Sequence, residues 1–256
     1  MLLDYHIHAL AHGEYDYSES WLRLFAENAR RKRLAEIGFS EHDEYLPRIK
    51  PDKLKRLQED FPELKIRMGL EVDYHPGREK EIQQMLVNSN IDYDYIIGSV
   101  HFIDGWGFDH PDFKAQFATQ DIDDIYADYF SLVNQAVNSR LFDVVGHLDL
   151  IKIWGHRPVK KSILAYVEPV LNSIKAAGMV VEINSSGLRK AVGEIYPSRQ
   201  ILELMLALNI PITLGSDAHH PSQLGEGLEE ATGLAQGVGY RQLVTFSGRR
   251  RQLVKI

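Results

Sequence analysis

The sequence has no cysteine among its 256 residues. Disulfide bonds, zinc sites built from thiolates and cysteine nucleophiles are therefore excluded. The chain also lacks any apolar run that approaches the about 18–20 residues needed to cross a bilayer. Its first residues do not combine a basic start with a long apolar stretch, so we expect no signal peptide. Together these absences predict a cytoplasmic protein without a membrane span.

Positive charge is in short supply. Lysine and arginine number 29 against 36 aspartates and glutamates, which gives a formal net charge of −7. Such a chain has no general electrostatic attraction for nucleic acid or an anionic membrane, and we expect no long nucleic acid as a partner. An anionic substrate would have to be held by local cations. The chain also lacks a GxxxxGKS or GxxxxGKT loop, so an ATP-driven reaction is not expected.

Short apolar segments alternate with longer amphipathic ones along the chain. Seven segments have the composition of buried strands, namely LLDYHIH, EIGFSEH, KIRMGLEVDY, YDYIIGSVHF, FDVVGHLDL, MVVEINSSG and IPITLGSDAHH. Five segments between them carry apolar residues at i, i+3, i+4 spacing, which is typical of amphipathic helices, namely ESWLRLFAENARRKRLAEIG, REKEIQQMLVNS, DIDDIYADYFSLVNQAVNS, VKKSILAYVEPVLNSIKAAG and SRQILELMLALN. The first helix is expected to follow the N-cap Ser18 and to end at Gly38. This alternation predicts an α/β fold, a closed or strongly curved parallel βα barrel that forms a single domain over residues 1–256.

Histidines and carboxylates occur at the ends of these strand segments. His6 and His8 are two residues apart on the first strand, so their side chains point to one side. The later segments contribute further candidates, namely His42, Glu71, His101, His147, Asp217 and His219. The carboxyl ends of parallel barrel strands meet at one mouth. Packing alone does not explain such a set, because burying several unpaired polar groups together costs free energy.

Metal binding explains this set of side chains. Neutral imidazole and carboxylate groups suit zinc, manganese or iron, and one carboxylate can bridge two cations. With His12 the sequence offers nine candidate ligands, which is too many for one tetrahedral ion and suits two or three ions. Four other histidines are left outside the set: His75, His110, His156 and His220.

The series HIH, His12, SEH, GLE, SVH, GHLD and SDAH resembles the polymerase and histidinol phosphatase (PHP) superfamily over essentially the whole chain. The resemblance implies a distorted (β/α)7 barrel, a single PHP metallophosphoesterase domain over residues 1–256, with three metal ions of the Zn, Mn or Fe type. Carried over residue by residue, it places His6, His8, Glu71 and Asp217 on the first ion. Glu71 would bridge to a second ion held by His101 and His147, and His12, His42 and His219 would hold the third.

Hydrolysis fits such a cluster better than a structural role, since structural zinc sites are usually closed by four ligands. Adjacent cations acidify a shared water and clamp a phosphoryl group when they are about 3.5–4 Å apart. We therefore expect in-line attack on a phosphate monoester by a metal-bridging hydroxide held through Glu71 and Asp217, without a phosphoenzyme. The proton donor to the leaving group stays open between a metal-bound water and Asp217.

Specificity must come from residues around the cluster. Arg189 follows the sixth strand in VEINSSGLRK and could bind a phosphate bidentately, while Lys152 and Arg157 follow His147. The EIN segment with its nearby arginine resembles the stand-alone histidinol phosphatase branch of the superfamily. A loop rich in aromatic residues also carries three carboxylates that could meet a cationic amine: Asp104, Asp109 and Asp112.

The resemblance and the length of the chain favour hydrolysis of a small phosphorylated substrate, L-histidinol phosphate, to L-histidinol and phosphate in histidine biosynthesis. A PHP phosphoesterase acting on nucleotides or short oligonucleotides is the alternative within the enzyme class. A non-catalytic metal-binding module is the alternative outside it, and the complete ligand set argues against a module. We expect the basic tail RQLVTFSGRRRQLVKI to be a solvated turn. The oligomeric state stays open.

Overall fold

The structure, a computed structural model that describes residues 2–256, contains eleven strands within that range. In chain order they are β1 (Leu3–Ile7), β2 (Glu36–Phe39), β3 (Lys65–Asp73), β4 (Tyr95–Ser99), β5 (Phe102–Ile103), β6 (Trp106–Gly107), β7 (Val144–Val145), β8 (Val180–Asn184), β9 (Ile212–Gly215), β10 (Gln242–Ser247) and β11 (Arg250–Lys255). Seven of these correspond to the segments predicted as strands, because their near-continuous apolar runs suit a sheet covered by helices.

The same residues form seven α-helices and several short 3-10 turns. The helices are α1 (Glu19–Arg31), α2 (Pro51–Asp60), α3 (Glu79–Asn88), α4 (Ile122–Ser139), α5 (Ile163–Ala177), α6 (Arg199–Ala207) and α7 (Leu228–Val238). Short 3-10 turns follow several barrel strands, among them Ala11–Gly13, Asp43–Arg48, Leu150–Lys152 and Ser186–Arg189. Across residues 2–256, no helix combines the length and the apolar character that a membrane crossing requires.

A parallel seven-stranded sheet in the order β1-β2-β3-β4-β7-β8-β9 curls into a nearly closed barrel, as the sequence predicts. Its two edges meet at the carboxyl end, where the His8 amide donates to the Ala218 carbonyl at 2.8 Å. The buried Asp4 carboxylate holds this seam, since it accepts hydrogen bonds from the Ser216 and Gly225 amides at 2.9 Å each. The barrel strands therefore present their carboxyl ends around a single mouth.

The interior of the barrel is filled by aromatic rings. Tyr95 stacks on Tyr5 with ring centroids 4.8 Å apart, and its hydroxyl donates to the Tyr5 carbonyl at 2.6 Å. Gly38 and Gly69 make room for the Tyr95 ring, because a Cβ atom at either residue would lie within 2.4 Å of a Tyr95 atom. Phe246 packs against both tyrosines. These rings leave the mouth as the place where polar groups gather.

The carboxyl-terminal segment differs from its prediction as a solvated turn. It forms the antiparallel hairpin β10–β11, and the buried Val244 carbonyl accepts a hydrogen bond from the Thr213 hydroxyl at 3.0 Å. Arg249 of the basic run pairs with Asp143 at 2.8 Å. The LVTF segment before the charged run is a buried apolar run of strand length, which a solvated turn would not contain.

Helix boundaries also differ in places. Ser18 caps α1, as expected, by accepting a hydrogen bond from the Trp21 amide at 3.3 Å. The helix ends at Arg31 and does not reach Gly38, because the residues from Glu36 onward form strand β2 and pair with β1. Helices α2 and α7 were not predicted. Strand pairing thus makes α1 shorter than its amphipathic sequence pattern predicts.

Replacing Gly38 by alanine should destabilise the fold, because the new Cβ would meet the Tyr95 hydroxyl oxygen at 2.1 Å. We expect the free energy of unfolding in urea to fall by about 1–3 kcal/mol, which is typical of overpacking. Gly233→Ala is the control, since this glycine lies in α7 with nothing within 4 Å of the added methyl. Equal stability of the two variants would contradict the proposed role of the Tyr95 ring.

Candidate metal centre

The Glu71 carboxylate, near the end of β3, lies at the middle of the polar cluster in the mouth. It is 1% exposed, and five imidazoles lie within 4 Å of it. One oxygen faces three of these rings, with distances of 3.2 Å to His6, 3.3 Å to His8 and 3.1 Å to His42. The other faces two, at 3.2 Å to His147 and 3.7 Å to His101. The structure thus brings together ligand candidates from five strand ends.

The remaining three candidates lie on the loops that follow β1 and β9. Asp217 has its Oδ1 atom 3.5 Å from His8 Nε2. The His219 ring stacks with those of His8 and His12, each at a centroid distance of 4.5 Å. His12 and Asp217 both adopt left-handed backbone conformations, with φ of 53° and 54°. Such backbone strain is typical of functional sites, where neighbouring contacts hold it.

The donor atoms fit divalent or transition metal ions. Buried ring nitrogens without a hydrogen-bond partner occur on five of the candidates: His6, His8, His42, His147 and His219. Within residues 2–256, four triplets have donor atoms no more than 4.8 Å apart: His8–His42–His219, His6–His8–Glu71, His6–His147–Asp217 and His42–Glu71–His101. Unpaired buried nitrogens are costly unless a ligand engages them. Imidazole and carboxylate donors in this number suit more than one metal ion.

The carboxylates at the centre are held in their ionised form. Burial raises the pKa of Glu71, but the charge of His6 and the hydrogen bonds with His147 and His6 outweigh burial, so that this pKa lies well below its usual range. The pKa of Asp217 is also well below its usual range, because His6 and a hydrogen bond with His8 outweigh burial. Ionised carboxylates are the form that binds cations.

The imidazoles divide into two groups by their surroundings. Burial lowers the pKa of His8 and of His101, but carboxylate neighbours outweigh it and raise these pKa values to about 9 and about 10. Burial, reinforced by the charge of His8, lowers the pKa of His219 to about 3 and that of His42 well below its usual range. The neutral imidazoles are ready to bind metal, whereas His8 and His101 would release a proton on binding.

Several ligand candidates have partners on their second ring nitrogen, His101 and His219 among them. Asp73, which the sequence analysis did not single out, accepts from His101 Nδ1 at 3.2 Å. Its pKa is lowered, because the charge of His101 outweighs burial. His219 Nδ1 lies 3.1 Å from the Asp217 carbonyl oxygen. Such partners orient a metal-binding imidazole and fix its tautomer. The position of Asp73 two residues after Glu71 is a signal that alternation along the strand could have revealed.

A cavity of about 720 Å³ opens above the cluster. Its floor includes Glu71 and Asp217, and its outer wall combines carboxylates with apolar side chains, namely Asp43, Glu44, Glu81, Asp109, Met85, Phe102 and Phe113. Arg78 and Lys190 are the cations among its lining residues in the described chain. Arg78 is already paired with Asp43 at 2.9 Å. The outer wall therefore suits a ligand with a cationic, partly apolar end.

The predicted phosphate-binding residues differ in their placement. Arg189 lines a smaller neighbouring cavity of about 380 Å³ that shares His12, Asp217 and His219 with the main one. Its guanidinium donates to the Ser216 carbonyl at 2.7 Å, beside the centre. Arg189 thus stays a candidate for binding substrate. Lys190, which was not predicted, lines both cavities.

Lys152 and Arg157 are placed away from the lining of both cavities. The Lys152 ammonium is 1% exposed, lies 3.0 Å from Asp149 and donates to the Ile195 carbonyl at 2.8 Å. Arg157 lies nearer the surface and pairs with Glu194 at 2.8 Å. The prediction that these two cations contact substrate is not supported by this geometry, because each guanidinium or ammonium group already has nearby carboxylate partners.

Some residues of the aromatic loop and some of the four other histidines line the cavity, and the rest do not. Asp109 lines the cavity, whereas Asp104 is exposed in the turn between β5 and β6 and Asp112 is 82% exposed. His75 and His110 line the cavity wall, but neither belongs to a triplet of donor atoms in the described chain. His156 stacks on Phe117 at 4.7 Å and His220 caps a 3-10 turn.

A parallel βα barrel with a set of imidazoles and carboxylates at its mouth defines a metal-binding barrel protein of the hydrolase type. The chain belongs to the PHP domain family, whose sequence profile matches residues 4–186. This match includes seven of the nine ligand candidates and ends before Asp217 and His219.

Similar curated proteins carry histidinol-phosphatase names. The chain is 39% identical over 201 residues to the probable histidinol-phosphatase of Deinococcus radiodurans, which covers 78% of this chain and 75% of that protein. It is 31% identical over 263 residues to the histidinol-phosphatase of Bacillus subtilis, with 88% and 96% covered.

Solved structures show the same fold. A histidinol phosphate phosphatase from Lactococcus lactis, solved with zinc, L-histidinol and phosphate, superposes with a TM-score of 0.79 over 98% of both chains at 23% identity. A putative histidinol phosphatase from Listeria monocytogenes superposes with a TM-score of 0.75 at 22% identity, covering 89% of this chain and 99% of that one. The likeness in fold therefore extends over most of the chain and is not limited to the barrel strands.

Replacing Glu71 by glutamine should empty most of the centre. The amide keeps the shape of the side chain but removes the charge that faces five imidazoles. We expect the metal content measured by mass spectrometry to fall, and phosphatase activity to fall by more than the about 10–100-fold typical of a lost outer partner. Glu59→Gln on the exposed face of α2 is the control. Full metal content in Glu71→Gln would contradict a central bridging role.

Proposed function

We propose that the protein is a metal-dependent phosphatase that hydrolyses L-histidinol phosphate to L-histidinol and phosphate, a step of histidine biosynthesis. One observation carries the proposal: seven of the nine candidate ligands line a cavity whose other lining residues include carboxylates and aromatic rings, and the remaining two, His6 and His8, are buried next to Glu71. A floor of cations would bind the phosphate, and the wall would bind the cationic imidazole and amine. The names of the relatives support the same substrate.

The centre holds three metal ions, and zinc is the first candidate. Nine donor side chains exceed the needs of one tetrahedral ion, and the Lactococcus lactis structure contains zinc. Manganese and iron also accept imidazole and carboxylate ligands. We assign the sites as the resemblance implies: His6, His8, Glu71 and Asp217; then Glu71, His101 and His147; then His12, His42 and His219. The triplet His6–His8–Glu71 agrees with the first of these sites, whereas each of the other three triplets combines residues assigned to different ions, as expected of adjoining sites.

The reaction is in-line displacement at phosphorus. When bound, the ions acidify the attacking water and neutralise charge on the phosphoryl oxygens. Glu71 and Asp217 would hold the ions and compensate their charge inside a buried site. Arg189, whose guanidinium lies beside the centre at the Ser216 carbonyl, reaches the phosphate from the smaller cavity. Asp217, with 17% of its side chain exposed, is the more exposed of the two carboxylates. Because its pKa lies well below its usual range, a water bound at the centre is the better proton donor to the leaving group.

The leaving group is recognised by the outer wall of the cavity. Asp109 and Glu44 supply negative charge, and Phe113 and Phe102 offer aromatic surface for a flat cationic ring. A nucleotide carries its phosphate beside further anionic or neutral groups, which this wall does not favour. We also propose that residues 1–256 act as one PHP domain in the cytoplasm, as the sequence predicts.

Phosphate release across a substrate panel tests the proposal directly. We expect kcat/KM for L-histidinol phosphate to exceed that for p-nitrophenyl phosphate, sugar phosphates, AMP and a short single-stranded DNA. Chelation should abolish the activity and lower the Tm together, because ligands from separate strand ends are tied by the ions. Higher kcat/KM for the nucleotides would favour the alternative phosphoesterase and refute the assignment to histidine biosynthesis.

Asp109→Asn tests the acidic wall. Losing one charged contact should raise KM for L-histidinol phosphate about tenfold or more, with kcat nearly unchanged. The KM for p-nitrophenyl phosphate should stay the same, because that substrate has no cationic group. Asp112→Asn, three residues away and 82% exposed, is the matched control. A parallel rise of KM for both substrates in Asp109→Asn would contradict recognition of the cationic end.

A further inference from the structure

Glu182 on β8 is a buried carboxylate that the ligand assignment does not use. It is 1% exposed and belongs to the EIN segment noted in the sequence. Its Oε1 atom lies 2.7 Å from His6 Nδ1, and its Oε2 atom accepts a hydrogen bond from the His147 amide at 2.9 Å. Asn184 also donates to Oε2, at 3.1 Å. One side chain therefore touches ligand candidates that belong to two different ions.

The contact between Glu182 and His6 determines which ring nitrogen of His6 is available to a metal ion. His6 Nε2 faces Glu71 at 3.2 Å and has no hydrogen-bond partner, whereas Nδ1 faces Glu182. A neutral imidazole has one protonated and one unprotonated nitrogen, and the hydrogen bond at one decides which is free. A carboxylate at Nδ1 therefore keeps the proton there and leaves the Nε2 lone pair directed into the centre.

The contact between Glu182 and His147 holds the backbone of His147 in place. His147 follows β7, a strand of only two residues, so the ladder offers its peptide little support. The His147 amide bonds instead to Glu182, and its ring Nε2 lies 3.2 Å from Glu71. The position of this ring in the centre is thus set from the neighbouring strand by a side chain.

The packing around Glu182 depends on a glycine in the neighbouring strand. A Cβ atom at Gly215 on β9 would lie 1.9 Å from Glu182 Oε1 and 2.6 Å from the His6 Cβ atom. Glycine at this position therefore allows the carboxylate to reach His6 from the side. Among the described residues, Glu182 belongs to none of the triplets with converging donor atoms, which argues against a ligand role.

We propose that Glu182 is a positioning residue that holds His6 with its proton on Nδ1 and fixes the peptide of His147, so that it raises the affinity of the centre for its metal ions. The proposal rests on the metal-dependent function proposed above. It does not rest on the identity of the phosphate ester, because metal binding is measured without substrate.

The first test is the zinc affinity of Glu182→Gln, measured by competition with a chromophoric chelator. The amide removes the charge and cannot accept from both His6 and the His147 amide while keeping the Asn184 contact. We expect zinc affinity to fall about 10–100-fold, as for outer partners of metal-binding histidines. Glu36→Gln is the matched control: this glutamate is also fully buried, but it pairs with Tyr5 and Arg67 near the other end of the barrel. Its substitution should leave zinc affinity unchanged.

A second measurement uses the unaltered zinc-loaded protein, so that it stands even if Glu182→Gln fails to fold. Long-range proton–nitrogen NMR spectra report the protonated nitrogen of each histidine, and His6→Gln identifies the signal of His6. We expect the proton of His6 on Nδ1. A proton on Nε2, unchanged zinc affinity in a folded Glu182→Gln, or an equal loss in Glu36→Gln would each overturn the proposal. A phosphatase panel that favours another ester would refute the substrate and leave these results intact.

Discussion

The contact between the buried Glu71 carboxylate and five imidazoles is the interaction on which the arrangement of the mouth depends. A carboxylate at 1% exposure would be costly alone, as would a group of buried rings. The carboxylate and the imidazoles lower the free-energy cost of burying each other, and the metal ions that such a set attracts lower this cost further. The strands that carry these residues must therefore end at the same depth, and a parallel barrel is the arrangement that meets this requirement.

The rest of the barrel separates an apolar filling from this polar mouth. Tyr5 and Tyr95 stack on each other and are buried in the barrel interior, away from the centre. Asp4 closes the seam between β1 and β9 through the Ser216 and Gly225 amides, which keeps Asp217 beside His8. The buried carboxylates thus serve different purposes: one closes the sheet, and others orient histidines.

The distribution of charge around the cavity connects the fold with the chemistry. An acidic chain has little long-range attraction for a phosphorylated substrate. Under the proposed function, the phosphate is bound by the metal ions at the floor and by Arg189, which lies beside the centre in the smaller neighbouring cavity. On the same proposal, the acidic outer wall would favour a substrate whose other end is positive. Affinity and selectivity would thereby come from different parts of the site.

Much of the barrel and of the candidate centre could be read from the chain alone. The seven barrel strands were predicted because buried parallel strands are nearly continuous apolar runs. The ligand candidates were predicted because their residue types recur at strand ends, and parallel strands bring such ends together. Both predictions depend on local sequence and on a general rule of topology. Neither requires knowledge of how side chains from different strands pack together.

Residues beyond the strand ends were decided only in three dimensions. Lys152 follows His147 closely in sequence, yet it turns inward because Asp149 and the Ile195 carbonyl offer it buried partners. The two contacts of Glu182 likewise join residues 35 and 176 positions apart. Strand periodicity and residue type therefore determined the barrel and the chemistry that its mouth can support. Tertiary structure decided which charged groups face the cavity and which ring nitrogens stay free, because a side chain in a loop follows the partners that packing brings to it.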